Sequence, residues 1–298
     1  MPQSKSRHLA VCVALVCLGL LAFASAAAAK STNADVRDGL VDSPGGPPGA
    51  ARLLRWRSMD DRHLGWRGTY NARDLGGLPT VDGGVTGRRA IVRSDSLQAL
   101  EARGWEEVEA FGIRTVIDLR NESEIGPDVA PRPASIETVN IPLDVTEDRE
   151  FWDVWENGPQ FATPLYYRPH LERFPERSAA VIRAIAGAPP GGVVFHCQGG
   201  RDRAGQTAML VLALCGVEPE AIGADYALTD ERLPPMYAAE GRADIAPEIA
   251  AYLRDQGTTG PQLIARLLTD FDVEAALLGA GLEQGDLDAV RSRLVADV

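Results

Sequence analysis

The residues from His196 to Gly205 read His-Cys-Gln-Gly-Gly-Arg-Asp-Arg-Ala-Gly. A short apolar run, Gly192 to Phe195, precedes them, and an apolar stretch with helical spacing follows from Arg203 to Cys215. A strand that turns through glycines into a helix aims backbone N–H groups into one concavity at the helix N-terminus, which is an anion site. Gly199 and Gly200 let the backbone curl without a Cβ clash. Arg203 lies six residues after Cys197. The curl brings its planar guanidinium over the concavity, where it can hold two phosphate oxygens at once. Cys197 falls at the bottom. A thiol facing N–H dipoles and a guanidinium is expected to have a depressed pKa and to be a thiolate near neutrality. Such a thiolate can attack phosphorus and form a phosphocysteine, which splits one difficult hydrolysis into two steps. The leaving group then needs a proton, and Asp202 inside the loop is the nearest donor. Gln198, Gly199, Gly200, Arg201, Ala204 and Gly205 complete the expected phosphate contacts. His196 is read as structural, setting the Cys197 backbone and thiolate. The alternative is a buried structural cysteine on a helix-capping turn. The C-x5-R spacing, with Gly and Asp beside it after an apolar strand, favours the anion loop.

The elements that must hold this loop alternate. Arg89–Arg93, Arg114–Leu119, Ser135–Ile141 and Gly192–Phe195 read as strands. Leu97–Phe111, Arg177–Ala186, Arg203–Cys215 and Glu218–Leu228 read as helices, followed by helical pieces at Ile245–Arg254, Pro261–Phe271 and Leu287–Val295. Strands alternating with helices predict an α/β domain with extra helices at its C-terminal end.

Other side chains could serve the loop. Arg73 and Asp74 precede the turn Gly76-Gly77 and can pair as a structural corner or touch substrate. Asp118 ends the buried run VIDLR, so it either faces the loop from the sheet edge where α/β ligands bind or merely caps its strand. Asp144, in IPLDVTED, is a rival to Asp202 as general acid. Phe151, Trp152, Trp155, Tyr166 and Tyr167 form an aromatic group, read as an amphipathic helix on the core with a lid over the substrate as the alternative. The four histidines, His8, His63, His170 and His196, form no ligand-spaced cluster, so no metal is expected.

The chain has 298 residues, enough for one large domain or two small ones, and 45% of them are hydrophobic, which excludes a disordered chain. Its net charge of -12 argues against a nucleic-acid partner. An anion site must therefore be positive locally against an acidic background. Lys5 and Arg7, the apolar run from Leu9, and Ala24-Ser25-Ala26 read as an export signal over residues 1–29. The alternative is an uncleaved anchor over residues 9–29, the only route by which membrane contact is expected. Residues 30–50 read as a linker and residues 51–298 as the catalytic domain. Cys12 and Cys17 lie in the leader, so only Cys197 and Cys215 remain. A helix between these two keeps them farther apart than the roughly 7 Å a disulfide allows. A free thiol in an exported protein invites a chemical explanation.

HCQGGRDRAG resembles the protein-tyrosine phosphatase superfamily signature, HCxxGxxR. More narrowly, it is similar to the bacterial lipid-phosphatase-like tyrosine phosphatases, whose loop usually reads HCxxGKDRTG. Asn71 to Gly77, NARDLGG, resembles their N-x-RDLGG. VRSDSL at 92–97, VIDLRNESE at 116–124 and DYALTDERL at 225–233 agree in order, so the resemblance runs from about His63 to the C-terminus. It implies a tyrosine-phosphatase-like central sheet flanked by helices. It also implies phosphotyrosine hydrolysis, in some members phosphoserine, phosphothreonine or phosphoinositide hydrolysis, and no metal or cofactor. It puts the nucleophile at Cys197, the phosphate-binding arginine at Arg203 and the general acid at Asp202. Two positions depart from the pattern. Arg201 replaces the usual Lys, keeping charge but changing donor geometry. Ala204 replaces a Thr or Ser whose hydroxyl stabilises the departing thiolate, so phosphoenzyme breakdown is expected to slow. A sulfurtransferase or arsenate reductase remains a second reading. A phosphate-binding pseudoenzyme is a third. Oligomeric state is not legible.

Overall fold

The computed structural model describes residues 62–295. The expected leader and linker, and the first residues of the expected catalytic domain, lie outside the described residues. Strand β5 (Gly192–His196) is buried at every position, as a strand covered on both faces must be. It is the middle strand of a five-stranded sheet. β2 (Ile91–Ser94) and β3 (Ile113–Asp118) flank it in parallel, and β4 (Glu137–Asn140) lies parallel beyond β3. The two-residue β1 (Arg73–Asp74) pairs antiparallel with β2 at the opposite edge. Sequence periodicity missed β1 because two residues show no period. Ser94 of β2 and Asp118 of β3 both oppose His196. Three strands thus end level where the Cys197 loop begins, at the carboxyl edge that α/β folds use for ligands.

The period-2 alternation of strand side chains divides the core. Val92, Val116 and Val194 face one cluster with Leu97, Leu100, Trp105 and Val108. Ile91, Ile117, Val193 and Phe195 face the other, with the helices that follow. The first cluster contains α1 (Ala102–Phe111) and a 3₁₀ turn at Leu97–Ala99. The sequence reads these as one helix, but Leu100 is extended between them. Both pieces point leucines and Trp105 at the same core, so the apolar spacing survives the break. The second cluster contains α2 (Arg149–Trp155), α3 (Tyr167–Arg173), α4 (Pro175–Gly187) and α5 (Arg203–Leu214). All residues of α5 except Ala213 are buried, which makes it a stiff mount for the loop at its N-terminus.

The C-terminal helices are α6 (Pro219–Arg232), α7 (Pro234–Ala239), α8 (Ala246–Asp255), α9 (Gly260–Asp270), α10 (Val273–Gly279) and α11 (Gln284–Leu294). α11 buries Leu287, Val290 and Leu294. Its Arg293 donates to the carbonyls of Ala188 and Gly191, in the segment that enters β5. The aromatic group packs as core. Phe151, Trp152, Tyr166 and Tyr167 are buried, and the first three make ring contacts with His170. The lid alternative is not what these residues form. Among the described residues no helix is long and apolar enough to cross a membrane.

Gly112 ends α1 in the left-handed region at φ 101°, with its N–H on the carbonyls of Glu109 and Val108. A Cβ there would meet nothing within 4 Å. Gly112→Ala is therefore expected to cost only the backbone penalty, about 1–2 kcal/mol. Urea unfolding checks this, and a larger loss would mean that the turn carries packing as well.

Candidate active site

The Cys197 loop is held by its carbonyls. The Leu119 N–H donates to the His196 carbonyl and the Ser96 N–H to that of Gln198. Asn71 Nδ2 donates to the Gly199 carbonyl at 2.9 Å and Arg93 Nη2 to that of Gly200 at 2.7 Å. The Tyr167 hydroxyl spans the carbonyls of Arg201 and Asp202. His196 Nδ1 lies 3.3 Å from the Cys197 carbonyl. Each peptide unit is planar and trans, so its C=O and N–H point oppositely. Turning this row of carbonyls outward turns the following N–H groups inward. Gly200 sits at φ 68°, and a Cβ there would come within 2.7 Å of the Ser94 carbonyl and the Asp95 nitrogen. Both the conformation and the close approach require glycine.

Cys197 is 3% exposed and unpaired. Burial pushes its thiol pKa up, against Arg203 and the N–H groups of Ala204 and Gly200 that aim at the sulfur. The expected depressed pKa is thus corrected for the resting protein. Desolvation disfavours the anion, and Arg203 offsets it only in part. Its Nη1 and Nη2 hold both oxygens of Glu124 at 2.5 and 2.7 Å, and its Nε lies 3.5 Å from Asp144.

Two carboxyls share this space. Asp202, half-buried at the N-terminus of α5, makes no capping bond, and its Oδ1 is shielded without a partner. Burial raises it to about 6, with Arg201 and Arg203 opposing and Asp144 adding to the rise. Asp144 is delivered by the segment after β4, where Leu143 N–H bonds the Leu119 carbonyl. Burial raises it to about 6 as well, with Arg203 opposing. Its Oδ1 lies 3.9 Å from Nε2 of buried His170.

Asp118 stands behind the loop. It chelates Arg120 through both oxygens, and its Oδ2 lies 3.6 Å from His196 Nε2. Burial lowers His196 to about 4, so its ring is neutral near pH 7. Of the two readings of Asp118, the contact with His196 matches support of the site.

A buried thiol in a cradle of inward N–H groups, under an arginine and beside two raised carboxyls, suits attack on a phosphate ester. A sequence model described as the tyrosine phosphatase family matches residues 64–296. The chain belongs to the tyrosine phosphatase family. A putative tyrosine-protein phosphatase of Cupriavidus necator is 30% identical over 184 residues, 59% of this chain and 66% of that protein. The triple specificity protein phosphatase PtpB of Mycobacterium tuberculosis is 25% identical over 275 residues, 76% of this chain and 97% of its own length. A tyrosine-protein phosphatase of Nostoc commune is 30% identical over 142 residues, 47% of this chain and 48% of its own length. The chain thus spans just under two thirds of the first relative and about half of the third.

Around the Cys197 loop, other expected contacts differ from the sequence reading. Arg73 and Asp74 do not pair with each other. Neighbours on a strand point to opposite faces, so Arg73 reaches Asp225 while Asp74 accepts the N–H groups of Gly76 and Arg89. Arg201 is 3% exposed, and its Nη1 is paired with Asp230 at 2.5 Å. Gly205 serves α5 by absence, since a Cβ there would lie 2.4 Å from the Tyr167 hydroxyl. Ala204 is fully buried and offers an N–H but no hydroxyl to the sulfur. The sequence reading left out Asn71, Arg93, Glu124, Tyr167 and Asp225 as individual site residues. Glu124 had a readable signal: Asn121 and Glu124 form a capping box, a pattern visible as N-x-x-E.

The resting thiol is expected to titrate above the ordinary value of 9.0. The pH dependence of Cys197 alkylation by iodoacetamide reads this directly. Glu124→Gln removes the charge that neutralises Arg203, so it should lower that midpoint. An unchanged midpoint would separate Arg203 from control of the thiol.

Proposed function

We propose that this chain hydrolyses phosphate monoesters through a phosphocysteine on Cys197, as a protein-tyrosine phosphatase that also accepts phosphoserine, phosphothreonine or phosphoinositide esters. The observation that carries the reading is the union of inward N–H groups, Cys197 and Arg203 with a carboxyl raised to about 6. In the first step the buried Cys197 thiol gives its proton to a non-bridging oxygen of the bound ester or to water, and the resulting thiolate attacks phosphorus as the ester P–O bond breaks. Asp202 gives its proton to the leaving oxygen. In the second step the Asp202 carboxylate takes a proton from water, which attacks phosphorus and breaks the P–S bond. Phosphate and the thiolate are released. Arg203 and the N–H groups of residues 198–204 hold the equatorial oxygens, whose charge spreads in the transition state. His196, with Asp118 behind it, keeps the Cys197 backbone in place. Asp202 is favoured over Asp144 because it sits within the loop itself, five residues after Cys197, while burial raises both carboxyls to about 6. The breadth of substrates proposed has support from PtpB, described as triple specificity. The sequence of residues 1–29 supports export, with anchorage through residues 9–29 as the other outcome.

Hydrolysis of p-nitrophenyl phosphate is expected to vanish in Cys197→Ser. Activity that survived this change would reject the mechanism, and phosphate binding without any wild-type turnover would favour a pseudoenzyme. Asp202→Asn should slow alkyl phosphates about 100-fold or more and good aryl leaving groups far less, since only poor leaving groups need the proton. The sign with pH follows. A carboxyl raised to about 6 stays protonated further up the scale, so the rate on poor leaving groups falls as pH rises through that value. The two carboxyls interact, and the midpoint belongs to the pair. If Asp144→Asn gave the leaving-group dependence and Asp202→Asn did not, the roles would exchange. With no hydroxyl at Ala204, phosphoenzyme should accumulate. Quenched-flow should show a burst of nitrophenol, and fast turnover without a burst would contradict that role for residue 204.

A further inference from the structure

We infer that Asp225 on α6 is a positioning residue for the phosphate loop, acting through two arginine arms that hold the carbonyls of Gly199 and Gly200 outward. This rests on the proposed use of the loop as an oxyanion cradle. Asp225 is fully buried. Its Oδ1 accepts from Arg62 Nη2 at 2.8 Å and Arg73 Nε at 3.1 Å. Its Oδ2 accepts from Arg93 Nη1 at 2.8 Å and Arg73 Nη2 at 3.3 Å. The first arm is direct, because the other end of the Arg93 guanidinium reaches the Gly200 carbonyl at 2.7 Å. The second has one more link. Arg73 Nη1 donates to Asn71 Oδ1, and this fixes which end of the amide faces the loop. Asn71 Nδ2 then donates to the Gly199 carbonyl at 2.9 Å.

The charge balance of the cluster argues for a task beyond stability. Three guanidinium groups meet one carboxylate, so an excess of positive charge is buried behind the loop. A cluster selected for stability alone gains by matching its charges, since unpaired buried charge is destabilising. Excess positive charge behind a cradle of inward N–H groups favours an anion in that cradle. Asp95 is spent on the backbone N–H groups of Tyr70 and Asn71. Arg73 and Arg93 come from the RDLGG and VRSDSL segments and Asp225 from DYALTDERL. Three separated motifs of the chain therefore meet at one carboxylate, and the loop they hold is the fourth.

Calorimetric titration with tungstate, a phosphate-shaped anion that is not turned over, tests the inference on the full chain. Asn71→Ala removes only the end of the second arm and is expected to weaken tungstate about tenfold, the effect of one lost hydrogen bond. Asp225→Asn keeps the shape but frees both arms, and about a 100-fold loss is expected. Val290→Ala, in the core contributed by α11 and with no hydrogen bond to the loop, is the control for simple loosening and should bind as wild type. If Asp225→Asn does not fold, Asn71→Ala still decides the matter. Wild-type affinity in Asn71→Ala overturns the inference, as does an equal loss in Val290→Ala. Tungstate binding needs no catalysis, so a chain that hydrolysed no ester would defeat the proposed function and leave this test intact. Esterase activity abolished by Cys197→Ser, with tungstate binding indifferent to residues 71 and 225, would do the reverse.

Discussion

Peptide planarity couples the two polar groups of each backbone unit, and the loop after β5 depends on that coupling. Its N–H groups must stay unspent until a ligand arrives, yet unsatisfied buried polar groups are costly. The structure resolves the conflict by satisfying the carbonyls instead. Partners come from Leu119 after β3, Ser96 after β2, Asn71 before β1, Arg93 within β2 and Tyr167 of α3. Much of the fold can be read as the means of bringing these donors to one place. The sheet sets strand ends level, the RDLGG turn returns Asn71 to the loop, and α3 lies close enough to α5 only because residue 205 has no side chain.

The same low-dielectric setting acts on every ionisable group around the loop, and its effects differ in use. It keeps Asp202 and Asp144 protonated to higher pH, which suits a proton donor. It raises the Cys197 thiol, which opposes a nucleophile. Arg203 is the adjustable element between them, because Glu124 holds both its terminal nitrogens while Asp144 faces its Nε. The acidic chain still builds a positive interior at this point. Arg62, Arg73, Arg93, Arg120, Arg201 and Arg203 are all buried among the described residues, each with an oxygen partner.

The loop was legible because its chemistry is local. Cys197, Gly200, Asp202 and Arg203 sit within seven residues, and the strand before and helix after them carry strong apolar patterns. The strands β2, β3, β4 and β5 were readable for the same reason, as buried or alternating runs. What the sequence concealed were partnerships across long separations. Asp225 lies 152 residues from Arg73, and no local pattern says that Arg73 chooses it over its neighbour Asp74. Glu124 reaches Arg203 across 79 residues. The ionisation of Cys197 was misjudged because spacing shows the dipoles that favour a thiolate but not the depth of burial that opposes it. The short helices α7 and α10 escaped because two turns give too little periodicity to recognise, and the one helix expected for the aromatic group divides into α2 and α3.

Arg293 holds the carbonyls of Ala188 and Gly191 at the entrance to β5, and this has a consequence in time. Chains are synthesised from the N-terminus. Cys197 is therefore made 96 residues before Arg293, the side chain that fastens the approach to its strand. Until the final helix docks, the segment leading to the loop lacks part of its anchoring. The order of synthesis thus delays the finished site until α11 has been made.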